Sequence, residues 1–263
     1  MLYRCCALIV ALLLALPALA TQRVVSLAPS VSEMMQDLGA QQLLVGMLDS
    51  GVPLSGLEHV ELVGPLGRID VEKIIRLQPD LVLNWPGSMG QRQLRQLERS
   101  GIRVHTIAVH SMEDLAQQFA VLGGLLERPE QGRQLQLQAQ QKLAQMQRDY
   151  ARSQPLPVFY QLWDKPLYTL GRDQIISDAL RYCGAVNIFA DVTVAAPQVS
   201  LEEVLARQPA VVLLAKPELA RSWQALPGMR LLAVPDRGLE RPSWQMLAAL
   251  ERLCRALASQ TEE

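Results

Sequence analysis

The chain has 263 residues, of which 49% are hydrophobic, 19% charged and 5% aromatic, with a mean hydropathy of +0.11. That length accommodates one large domain or two of roughly 120 residues, and it excludes a disordered chain and a small disulfide scaffold. The 25 basic and 26 acidic residues leave a net charge of −1 with no long run of either sign, which argues against nucleic acid or anionic lipid as the main partner.

Residues 1–20 read as a cleavable secretory signal: Arg4, an apolar run to Leu16, then Pro17 and the small-residue site Ala18-Leu19-Ala20. The run is short for a bilayer span, and an uncleaved anchor is the alternative. Export with cleavage removes Cys5 and Cys6 and leaves Cys183 and Cys254. In an oxidising compartment such a pair is expected to form a disulfide, closing a loop of roughly 70 residues worth about 4 kcal/mol by loop entropy. Two buried free thiols are the alternative. His59, His105 and His110 lack zinc-type spacing and no C-x-x-C occurs, so no metal site is expected.

From Arg23 onward strand and helix patterns alternate. A short apolar strand over 24–27 ends at Pro29, and Ser30-Val31-Ser32-Glu33 reads as a capping box for a helix that stops at Gly39. A strand follows over 43–47. Asp70 caps a helix that Pro79 ends, and Leu81-Val82-Leu83 is the next strand. Residues 91–99 read as a helix ending at Gly101, 102–108 as a strand, and Ser111 opens another capped helix. Gly64-Pro65-Leu66-Gly67-Arg68 reads as a plain loop. Over 130–152, Leu135, Ala139, Leu143, Met146 and Tyr150 form one apolar helical stripe. A helix of that length reaches about 33 Å, and it reads as a rigid connector or as an ordinary packed helix.

The second half restarts the alternation, with a strand over 158–162, a helix over 177–183, a helix capped by Ser200, strands over 210–215 and 231–234, and a closing helix over 242–258. The expected architecture is α/β: two Rossmann-like lobes with parallel sheets, over 21–128 and 154–263, joined by one long backbone helix over 129–153. The halves also echo each other in sequence. Aligned without gaps, 71–83 and 201–213 share Glu72/Glu202, Gln78/Gln208, Pro79/Pro209, Val82/Val212 and Leu83/Leu213. Each glutamate sits in the first turn of its helix, where the helix dipole alone favours it. The other reading is a matched pair of acids presented to a two-fold symmetric partner.

No G-x-S-x-G, P-loop, H-E-x-x-H or G-x-G-x-x-G motif occurs, so no catalytic residue is assigned and a binder is expected. In open α/β sheets ligands sit beyond the carboxyl ends of strands. There the sequence places Trp85, Trp163 and Tyr168, and further on Asp236, Glu240 and Arg241 around Gly238. Such a lining suits a flat, largely apolar ligand with polar edges.

The motifs Asp70-Val71-Glu72, Pro79-Asp80-Leu81-Val82 with Trp85, Val158-Phe159-Tyr160-Gln161, Cys183-Gly184 with Asn187-Ile188-Phe189, and Pro197-Gln198-Val199-Ser200 with Glu202 occur in this order. In them the chain resembles the periplasmic cobalamin-binding proteins of ABC importers. The resemblance implies a ligand held between two lobes with little hinge motion, and a Cys183–Cys254 pair. It also implies that Glu72 and Glu202 dock on the arginines of an inner-membrane permease driven by its ATPase. Trp85 matches a cleft aromatic, Tyr168 a phenylalanine position, and Asp236 and Arg241 the polar contacts. The pattern departs at Ala196, at Asp49-Ser50-Gly51 and at Pro65-Leu66, where the family carries aromatics, and Trp163 would restore part of that surface. The ligand-binding set is therefore Trp85, Trp163, Tyr168, Asp236, Glu240 and Arg241. The partner is a corrinoid that brings its own cobalt, with no separate cofactor, and the protein is expected to be a monomer. A haem, a ferric siderophore and an exported enzyme stand as alternatives.

Overall fold

A computed structural model describes residues 21–51, 53–226 and 228–259. The candidate signal of residues 1–20, with Cys5 and Cys6, lies outside them.

Strand β1 (Val24–Ser26) is buried throughout and leads through Ala28 into helix α1 (Pro29–Asp37). The capping box expected at Ser30 does not form. Ala28 is the residue ahead of the helix, Pro29 opens it with its fixed φ and absent N–H, and no side chain caps it. Ser30 lies inside the helix, and Ser32 turns back to the Ser26 hydroxyl at 2.9 Å. Glu33 is thereby free to bond elsewhere. Strand β2 (Leu44–Asp49) and strand β3 (Glu61–Pro65) follow. The second of these corrects the reading of Gly64-Pro65 as plain loop: β3 is short and half-exposed, so its apolar alternation is weak. Helix α2 (Val71–Arg76) is capped by Asp70, which accepts from Lys73 N–H at 2.8 Å. Strand β4 (Leu81–Asn84), helix α3 (Gln91–Arg99) and strand β5 (Arg103–Thr106) complete a five-stranded, all-parallel sheet in the order β3-β2-β1-β4-β5.

Helix α4 (Met112–Leu125) starts at a Ser111/Asp114 capping box, as expected, and runs back against helix α5 (Pro129–Asp149). Their backbones touch where Gly123 meets Gly132. A β-carbon on Gly132 would stand 2.5 Å from the Phe119 carbonyl oxygen, so only glycine permits this crossing. The buried stripe of α5 (Ala139, Leu143 and Met146) packs on α4 and also on elements of the second half, so the helix bridges the two sheets.

Strand β6 (Leu156–Gln161) opens the second sheet, and a hairpin of β7 (Trp163–Asp164) and β8 (Leu167–Tyr168) projects from its end. Helix α6 (Ile175–Ala179) continues into a 3-10 turn (Leu180–Cys183), followed by strand β9 (Ala185–Asn187), which sequence periodicity did not indicate. Helix α7 (Leu201–Ala206) is capped by Ser200, then come strand β10 (Val211–Leu214), strand β11 (Leu231–Ala233) and the closing helix α8 (Trp244–Ser259). The order is β11-β10-β6-β9, again all parallel. Cys183 and Cys254 form a disulfide that ties the 3-10 turn to α8.

One continuous apolar core joins the inner faces of both sheets through α1, α4, α5 and α8. The outer face of the first sheet has a second core built on Val25, Leu27, Val63, Ile74, Val82 and Leu97. No helix among the described residues is long and apolar enough to cross a membrane.

Candidate ligand-binding cleft

In parallel sheets all strands deliver their following residues to the same edge. The order of the first sheet reverses between β1 and β4, and that of the second at β6. Ligand crevices form at such reversals, beyond the strand ends. A cavity of about 590 Å³ lies there, between the two halves. The first half lines it with residues following its strands, including Leu27, Leu66, Trp85 and Val109, and the second with Leu162, Ala215, Lys216, Leu239 and Glu240. Most of the wall is apolar. Trp85 supplies its aromatic face, and Lys216 and Glu240 are its charged groups. Among the described residues that line it there is no His, Cys, Met or Tyr.

The sequence-derived residues fall in different places around this cavity. Trp85 and Glu240 line it directly. Trp163 is 50% exposed and sits opposite Tyr168 in the β7–β8 register, so both occupy one face of that hairpin. The Lys216 ammonium lies 5.2 Å from the Trp163 ring centre, which puts this tryptophan at the cleft rim. Tyr168 is half-buried and bridged to Gln198, and it does not line the cavity. Arg241 borders the adjoining space of about 310 Å³ that Glu240, Arg237, Pro29 and Leu54 also line. Asp236 is turned to structure: it accepts from Gly238 N–H at 2.7 Å and pairs with Arg252. The Gly238 bond first, and Arg252 next, hold its carboxyl below the usual carboxylate range.

Behind Glu240, the Tyr160 hydroxyl is fully buried and has no hydrogen-bond partner among the described residues. Burial first, and the Glu240 carboxylate second, push its pKa well above the usual phenol value. Leu66, 66% exposed at the mouth, stands where the resemblance places an aromatic, while Lys216 is not among the sequence-derived residues. Lys216 follows the expected strand over 210–215 directly, so the strand-end rule that found Trp85 also points to it.

Glu72 and Glu202 are exposed in the first turns of α2 and α7, and neither makes an ion pair among the described residues. Both helices feed the start of a parallel strand, so their N-termini, and both acids, lie on the cleft side of the molecule. The echo extends to backbone detail: Gln78 and Gln208 both take positive φ, 47° and 50°, just ahead of the prolines. Among the described residues no group of three or more His, Cys, Asp or Glu could hold a metal ion.

Known proteins share this chain's sequence and fold. The periplasmic binding protein family profile matches residues 24–252. A vitamin B12-binding protein of Vibrio cholerae is 33% identical over 243 residues, covering 89% of this chain and 88% of that one. A vitamin B12-binding protein of Yersinia pestis is 33% identical over 261 residues, covering 97% and 93%. The crystal structure of a periplasmic vitamin B12 binding protein of Vibrio cholerae superposes with a TM-score of 0.81 at 31% identity, covering 92% and 98%. A periplasmic heme binding protein of Vibrio cholerae shares the fold, with a TM-score of 0.78 at 20% identity over 90% and 99%.

Proposed function

The chain belongs to the periplasmic binding protein family, and from that premise we propose that it captures a cobalamin-type corrinoid between its lobes and delivers it to an inner-membrane ABC permease. The observation that carries the choice of ligand is the cavity wall: a broad, mostly apolar cleft with a tryptophan face and no residue of the kinds that ligate haem iron. A metal chelate seated there keeps the axial ligands it brings. A corrinoid with its own lower base meets that condition, and haem, which takes a His, Cys, Met or Tyr from its protein, does not. The relatives named for vitamin B12 binding support the same choice. Trp85 supplies apolar contact, Trp163 closes the rim, and Glu240, Lys216 and Arg241 meet polar groups at the ligand's edge. Tyr168 acts through the β7–β8 hairpin, and Asp236 through the 3-10 turn Arg237–Glu240 that it caps. No reaction is catalysed, residues 1–20 direct export to the periplasm, and the protein works as a monomer over 21–128, 129–153 and 154–263.

Glu72 and Glu202 dock the loaded protein on the permease dimer, whose ATPase supplies the energy. The matched placement of two unpaired acids on the cleft side supports that role. Replacing both by Ala is expected to abolish stimulation of transport in reconstituted vesicles while ligand affinity stays within twofold; a collapse of affinity would contradict the docking role. The ligand assignment is tested by calorimetric titration of the oxidised protein with cyanocobalamin, cobinamide and haemin in parallel. One-to-one binding of the corrinoids, tighter than haemin, is the expected result. Selective haemin binding with an axial-ligand shift of its Soret band would overturn it.

A further inference from the structure

The two halves exchange carboxylates across their interface. Met112 N–H, the first of α4, donates to Asp178 of α6 at 2.8 Å. In the opposite direction, Trp244 N–H, the first of α8, donates to Asp37 of α1 at 3.0 Å. Each half thus caps a helix of the other, where the helix dipole favours a negative charge. The second contact is the larger. One turn before Asp37 on the same helix face, Glu33 is only 8% exposed and gathers three donors from the facing segment. It pairs with Arg241 at 2.8 Å, accepts from the Ser243 hydroxyl at 2.8 Å, and accepts from the Gln245 side-chain amide. Gln245 in turn accepts from Arg241 at 2.8 Å. The Trp244 ring packs edge-on against Phe119 of α4 with centroids 5.8 Å apart.

We propose that Glu33 and Asp37 form a latch that clasps residues 241–245 of the second half to α1 of the first and so positions Glu240 and Arg241 at the mouth of the cleft. The segment it clasps follows Glu240 directly. A connecting helix such as α5 fixes the distance between lobes at one side, and the latch fixes their angle from another. The device does not depend on which ligand the cleft takes.

The latch has a built-in pH response. Burial, which outweighs the Trp244 bond, and the Glu33 charge push Asp37 up to about 6 from an ordinary 3.8. The ionisable groups that share its pocket are Glu33 on α1 and Arg241 on the facing segment; the loop across it contributes Pro53, Leu54 and Ser55, which carry no charge. A carboxyl whose pKa is raised in the clasped state binds a proton more readily there than when released into water. Clasping is therefore favoured as pH falls through 6 and weakened as pH rises above it. The neutral acid still accepts the Trp244 N–H and no longer repels Glu33.

The test is a pulsed spin-label distance measurement on the oxidised, ligand-free protein, with labels at the exposed positions Arg68→Cys and Glu218→Cys on either side of the cleft. The wild-type distribution is expected to narrow from pH 7.5 to pH 5, with the change setting in below about 6. Asp37→Asn, a neutral isostere, should be narrow at both pH values. Glu33→Gln, which loses the Arg241 ion pair, should be broad at both, and its ligand affinity should fall by about fivefold or more, the low end of ordinary coupling between sites. Arg241→Gln removes the same ion pair from the other side and serves if Glu33→Gln does not fold. A Glu33→Gln distribution identical to wild type, or a pH response that persists in Asp37→Asn, would overturn the proposal.

Discussion

The first half folds a five-stranded sheet with an apolar core on each face, whereas the second half folds a four-stranded sheet and draws its buried residues from the one core it shares with α4, α5 and α8. Both repeat the same unit: a capping residue, a six-residue helix with glutamate in its first turn, a glutamine at positive φ, a proline, and a buried parallel strand. The differences lie in what surrounds that unit. The second half is stapled by the Cys183–Cys254 disulfide across 71 positions and roofed by α8. The first needs no such link, since α2 and α3 give its sheet a second buried face. The lobe with the smaller sheet is held by a covalent tie and by contacts with its neighbour.

Removing the disulfide should expose that asymmetry most strongly. Replacing Cys183 and Cys254 together by Ala is expected to lower stability by about 4 kcal/mol, from the entropy of an open loop of that length, and hydrogen exchange should rise in β9 and α8 before β1 and β4. Equal loss of protection in both halves would show that they do not differ in this way. Next in size is the crossing of α4 and α5. Gly132→Ala places a methyl against the Phe119 carbonyl and should cost about 1–3 kcal/mol by forced overpacking, read as a lower denaturant midpoint, while the exposed Gly124→Ala next to the crossing should be neutral or stabilising. The smallest contrast is between the two caps. Asp70→Ala and Ser200→Ala each remove one bond to a helix N–H, at 2.8 and 3.1 Å, and each should cost about 1 kcal/mol. A much larger loss at either would mean that the repeated unit is not equivalent in the two halves.

Much of this architecture is legible in the chain, because local rules govern it. The Asp70, Ser111 and Ser200 caps, the stop at Pro79, the stripe along α5 and the buried strands β4, β6 and β10 follow from spacing and residue type. β3 and β9 escape because they are short and partly exposed, and their pairing with β2 and β6 is long-range. Ser30 to Glu33 shows how a local signature fails: Pro29 begins the helix earlier, and Glu33 is engaged by residues more than 200 positions away. For the cleft, strand ends identify Trp85 and place Trp163 nearby. Asp236 looks like a contact residue in sequence, yet its carboxylate is bonded to Gly238 and Arg252, and Tyr168 stands in the hairpin without lining the cavity. No sequence pattern separates a polar residue that meets a ligand from one that caps its own turn.

A crystal structure of the oxidised protein with cyanocobalamin tests directly whether the ligand sits between the two halves. It should show the corrinoid in the cavity of about 590 Å³, against Trp85 and within hydrogen-bond reach of Glu240 or Lys216. Cyanocobalamin bound instead in the separate cavity of about 310 Å³ beneath Leu54, Glu58 and Val60, or on the outer surface with the cleft open to solvent, would contradict that placement.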